Sequence, residues 1–149
     1  VVFPHYIDSE LKHFKGKAKG RIIESSRNLP SWDNTIGWDT YAIQALNVWV
    51  TSRLYWNAEL DVDVLLEEYY DLFYGPASQE MKQFYTLAEE RIEDATLDGY
   101  ETREATAQGL EAMQALKDDL RPYLTQAKAK AGNTIYGERV QLIIDLMNS

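Results

Sequence analysis

The sequence predicts a mainly α chain, with a helical, bundle-like part preceded by a single β/α unit. Three observations lead there. Apolar residues recur at helical spacing through Trp38–Gly75, the stretch around which the rest is arranged. The same spacing returns between Ala77 and Met147, with breaks at Asp98-Gly99 and Gly132-Asn133. A lone β-type run, Gly20–Ser26, stands before them, and one strand cannot form a sheet by itself.

In chain order, Val1–Phe3 reads as a short extended run stopped by Pro4. A helix follows, with Ile7, Leu11 and Phe14 as its apolar face, and Gly16, Lys17, Lys19 and Gly20 form the turn that ends it. Lys12, Lys15, Lys17 and Lys19 make the basic run, read as a solvated helix end where cations suit the C-terminal dipole. Gly20–Ser26 then supplies the strand, and helix, strand, loop, helix is the order of an α/β unit. Asn28–Gly37 is a loop of turn formers that carries Trp32, with Trp38 just beyond.

The next helix, about Asp39 to Trp56, is apolar nearly all round, which predicts burial from several sides. Gln44, Asn47, Ser52 and Arg53 interrupt it too often for a membrane span. Val62, Leu65, Leu66, Tyr69, Tyr70 and Phe73 form a clean stripe on a second helix. Asp61 or Asp63 can cap it, and Gly75-Pro76 stops it. Pro76 suits the first position of a third helix, whose face is Ala77, Met81, Phe84, Tyr85, Ala88 and Ile92. From about Thr102 another face runs through Leu116, Leu120 and Leu124, and Pro122 predicts a kink or a split there. Thr134 can cap a last helix built on Val140, Ile143, Ile144 and Met147.

A chain of 149 residues with 45% hydrophobic residues and ten tyrosines suits one domain with a sizeable core. The formal net charge of −9 argues against nucleic acid or an anionic membrane as partner. Cysteine is absent, so disulfides and thiolate chemistry are excluded. The chain opens on Val1-Val2-Phe3-Pro4 rather than methionine and is expected to be a piece of a longer protein.

No phosphate-binding glycine loop and no dinucleotide fingerprint occur. His5 and His13 are too far apart on a helix to share a metal, and no metal or cofactor is expected. Asp61-x-Asp63 with Glu67-Glu68 lacks the glycine and final glutamate of a calcium loop, so helix capping explains it better. The chemically suggestive group is Glu24 with Asp33, Asp39, Trp32 and Trp38. Glycoside hydrolysis uses paired carboxylates, and aromatic faces floor sugar subsites. Equally, Glu24 can pair with Arg21, Arg27 or Arg53 as a structural ion pair, and the tryptophans can seal the loop onto a core.

The run Trp49-Val50-Thr51-Ser52-Arg53-Leu54-Tyr55-Trp56-Asn57 is followed by Asp61-Val62-Asp63 and then by Glu68-Tyr69-Tyr70-Asp71-Leu72-Phe73-Tyr74-Gly75-Pro76-Ala77. With Met81 and Tyr85, and a Glu138-Arg139-Val140 element near the end, it resembles the bacterial family catalogued as domain of unknown function 4838. Proteins of that family look like relatives of α-glucuronidases and β-hexosaminidases, with a TIM barrel followed by a helical extension. The resemblance implies that residues 1–57 are the last β/α unit of a truncated TIM-type barrel and residues 58–149 the α-helical extension. It also implies export from a polysaccharide-degrading bacterium, to the periplasm, the cell surface or the medium. Glu24 would be the catalytic carboxylate at a strand end, and Trp32, Trp38 and Arg53 would bind substrate. The expected partner is a glycan or polysaccharide held through the parent barrel, with this fragment inactive alone and able to self-associate through exposed apolar surface. The alternative is a non-catalytic helical interaction or carbohydrate-binding module.

Overall fold

The structure is a computed structural model that describes residues 4–18, 39–97 and 107–148, with side chains described over 4–18, 44–91 and 115–148. Every regular element among these residues is helical: α1 Pro4–Phe14, α2 Asp39–Trp56, α3 Val62–Tyr74, a 3-10 turn at Gly75–Ala77, α4 Ser78–Leu97, α5 Ala107–Ala131 and α6 Ile135–Asn148. The chain is therefore mainly α. The expected strand Gly20–Ser26, the loop Asn28–Gly37 and the break at Asp98-Gly99 lie outside the described residues, and with them the proposed barrel remnant.

The helix boundaries follow local chemistry. Pro4 opens α1, where its missing amide falls at a position with no internal acceptor; the expected extended run Val1–Phe3 lies outside the described residues. Gly16 takes φ +73° in the turn beyond α1. Asp61 is the cap of α3, its Oδ1 accepting from the amides of Asp63 at 2.9 Å and Val64 at 3.4 Å. Gly75, at φ +50°, ends α3, and its amide donates to the carbonyl of Asp71. The 3-10 turn then carries Pro76 before α4 begins.

α5 is one helix despite Pro122, so the expected split does not occur. Pro122 has no amide to give the helix ladder, and it lies on an exposed side, where water can serve the backbone instead. Gly132, at φ +59°, closes α5 with its amide on the Lys128 carbonyl at 2.9 Å. Thr134 caps α6 as its sequence position suggests: Oγ1 accepts from the amide of Gly137 at 3.4 Å and donates to the Ala131 carbonyl at 2.7 Å.

One core joins α2 to α6. α2 contributes Leu46, Val50 and Leu54; α3 contributes Leu65, Leu66, Tyr69, Tyr70 and Tyr74; α4 contributes Met81, Phe84 and Tyr85. Leu120, Leu124 and Ala127 of α5 and Val140 and Ile143 of α6 close it from the other side. α1 lies on α2 and α3, with Ile7 and Leu11 packed at the edge of the core. Phe14, expected on the same face, is exposed. α2 is covered from several sides, by α1, α3 and α6, but part of it stays open. Val48 and Tyr55, seven residues apart, lie on the face opposite Leu46 and Val50, and they are exposed, as is Trp56 at 93%.

Candidate functional site

Glu24, Trp32 and Trp38 lie outside the described residues, so Arg53 is the one expected site residue with a described setting. It projects from the last turn of α2 and donates to Glu68 Oε2 of α3 at 3.1 Å. Its guanidinium also sits 5.1 Å from the centroid of the Trp49 ring. In this setting Arg53 joins α2 to α3, with Glu68 as the described anion at its side.

The aromatic residues of α3 and α4 form one connected cluster. Tyr69 stacks on Phe73 at 5.0 Å between centroids, and Tyr70 stacks on Tyr85 at 5.9 Å. Trp49 approaches Tyr69 at 6.0 Å from α2. The Tyr74 and Tyr85 hydroxyls share a buried hydrogen bond of 2.8 Å. The Tyr69 hydroxyl lies toward Tyr74 but completes no hydrogen bond of normal geometry among the described residues. Burial raises the pKa of all four phenols well above the ordinary tyrosine range, so they are neutral at physiological pH. Arg139 of α6 covers the cluster, 4.3 Å above the Phe73 ring, and donates to the Phe73 carbonyl at 2.8 Å.

A second cluster lies between α1, α3 and α4. The His5 amide donates to Glu89 Oε1 at 2.9 Å, and its ring Nδ1 stands 2.7 Å from Glu89 Oε2. The other ring nitrogen, Nε2, stands 3.2 Å from Asp63 Oδ1. Partial burial works to lower the pKa of the ring. Hydrogen bonds to Glu89 and Asp63 and the negative charge of both carboxylates outweigh it and hold His5 above its usual value of 6.5. The Glu89 side chain is only 8% exposed, whereas Asp63 is open to solvent.

Elsewhere the charged groups link helices. Lys82 pairs with Glu67, Lys130 with the buried Glu80, and Arg91 with Asp119 at 3.1 Å. A groove of about 140 Å³ between α5 and α6 is lined by Leu124, Ile144 and Met147, with Arg121 and Asn148 at its rim. That is well below the roughly 300 Å³ at which small-molecule pockets begin. Among the described residues no group of three or more histidine or carboxylate side chains is placed to hold a metal ion. No helix there is long and apolar enough to cross a membrane.

Sequence reasoning weighed His5 only as a metal ligand and missed its two carboxylates. They stand 58 and 84 positions away, and helical periodicity does not say which helices meet. The cap role of the Asp61-x-Asp63 turn was legible, but not that Asp63, freed from capping, would face His5. No family model, curated protein or solved structure matches the chain.

Proposed function

We propose that the chain is the carboxy-terminal part of a glycoside-hydrolase-like protein acting on a polysaccharide or other glycan, and that its described helices are a support rather than a catalytic unit. What supports the reading is the place of the residues that carry the family resemblance. Trp49, Tyr69, Tyr70, Phe73, Tyr74 and Tyr85 all belong to one aromatic cluster, and Arg53 ties α2 to α3 beside it. Such a motif is accounted for by packing, as a helical extension requires. Glycan chemistry would then fall to the barrel of the parent and to Glu24, with Trp32 and Trp38 as stacking faces. Export to the periplasm, the cell surface or the medium belongs to the same reading.

The test uses the parent protein with Glu24→Gln and a panel of uronic-acid and hexosamine glycans. Turnover should fall by about 10²-fold or more with the melting temperature unchanged, as for loss of a general acid or base. Unchanged turnover with a lowered melting temperature would make Glu24 a structural partner of an arginine and defeat the assignment. One observation favours a non-catalytic interaction module instead: α2 presents Val48, Tyr55 and Trp56 to solvent. A parent that binds a partner through that face and turns over no glycan would establish it.

A further inference from the structure

His5 stands in the first turn of α1 and reaches two other helices at once. A neutral imidazole carries a single N–H. It can donate to Glu89 or to Asp63, and must then turn a lone pair toward the other carboxylate. The imidazolium donates to both, and charge-assisted hydrogen bonds are the stronger kind. Glu89 is almost enclosed, so its charge is poorly served by water and rests on the His5 amide at one oxygen and the His5 ring at the other. The apolar contact of α1 rests on Pro4, which is fully buried, and on Ile7 and Leu11, half-buried at the core edge, while Tyr6 and Phe14 are exposed.

We propose that the His5 imidazolium is a pH-sensitive clasp that holds the first turn of α1 against α3 and α4, and that α1 loosens as the solution is raised through neutrality. The charged groups facing the ring are Glu89 from α4 and Asp63 from the start of α3, both anionic. On α1 itself, Asp8 is engaged by Lys12, and on α2 Arg53 is engaged by Glu68. At the far end of α1, Lys15 pairs with Glu59, a contact of two groups that do not ordinarily titrate near neutrality. The contact that titrates is therefore the one in the first turn, beside the buried Pro4. The folded value of His5 is raised, so the clasp is complete below about pH 6.5 and is lost as pH rises through that folded value.

The experiment is amide hydrogen exchange on the 149-residue chain at about pH 6 and about pH 8, corrected for the intrinsic rate, with α6 as internal reference. Exchange in α1 should quicken several-fold relative to α6 at the higher pH. His5→Gln, which cannot become a cation, should exchange quickly in α1 at both values. His13→Gln, on the exposed side of the same helix beside Lys17, should keep the pH response. Equal protection of α1 at both pH values, or a pH response that survives His5→Gln, would overturn the clasp. A nuclear magnetic resonance titration placing the His5 ring below the ordinary histidine range would overturn it independently of any variant.

Discussion

Gly137 sits in the first turn of α6 against the end of α5, and a Cβ there would collide with the carbonyl oxygen of Gly132. The obstructing atom belongs to the backbone, so it cannot swing aside as a side-chain end would. Around it the joint is already fixed: Thr134 bridges Ala131 and Gly137, and Lys128 Nζ donates to the Gly137 carbonyl at 2.9 Å. Replacing a helix-interior glycine by alanine normally gains about 0.5–1 kcal/mol. Here the sign should reverse. Gly137→Ala is expected to destabilise by about 3 kcal/mol or more, the upper range for forced overpacking. Urea denaturation reads the effect directly, and an unchanged or raised midpoint would show that α5 and α6 do not meet in this way. Gly75 has a related constraint, since a Cβ there would meet the Tyr136 ring at 2.8 Å while φ is +50°. Neither close approach is visible in the sequence, where Gly137 reads only as a weak helix former.

At the scale of elements, α3 and α4 are held by phenols whose hydroxyls stay inside the protein. An unfolded tyrosine ionises near pH 10, whereas the buried ones keep their protons far beyond that. Between those two values the folded state binds more protons than the unfolded state, so stability falls as pH rises. Alkaline titration followed by ultraviolet difference absorbance should show the exposed tyrosines ionising first, with Tyr69, Tyr70, Tyr74 and Tyr85 released together in one cooperative step that coincides with loss of helical circular dichroism. A smooth titration of all ten tyrosines with the helices intact would mean that α3 and α4 do not enclose them. The stripe on α3 was legible because period 3.6 places Val62, Leu65, Leu66, Tyr69 and Tyr70 on one face, and all five are buried. Phe73 continues the stripe yet is only half-buried, because it lies at the edge under Arg139, an arrangement set by α6 and not by α3. The cap at Asp61 was legible for the same local reason, since capping involves neighbours two and three residues away.

For the whole molecule, α2 shows how far an apolar pattern fixes packing. An apolar composition nearly all round led to an expectation of burial from several sides, and α1, α3 and α6 do pack on α2, but a sequence cannot say which part of a helix stays open. α3 and α6 cover the face of Leu46, Val50 and Leu54, α1 adds a further contact, and Val48, Tyr55 and Trp56 remain exposed. The candidate site was less legible than the fold, because what makes Arg53 or His5 what it is comes from Glu68, Glu89 and Asp63 on other helices. The exposed face has a consequence that can be measured. Two aromatic rings in the last turn of a helix and a valine two turns before them, in contact with water, favour association when the gain in apolar burial exceeds the cost of losing translational freedom. The net charge of −9 opposes that association between copies of the chain at low ionic strength and is screened as salt rises. Sedimentation of the 149-residue chain should therefore show self-association that grows with concentration and strengthens from low to physiological salt. Trp56→Lys should reduce it without a measurable change in stability, since surface substitutions away from packed features usually fall within about 0.5 kcal/mol. A monomer at high concentration in physiological salt would count against the truncated-barrel reading, and association unaffected by Trp56→Lys would place the contact elsewhere on the surface.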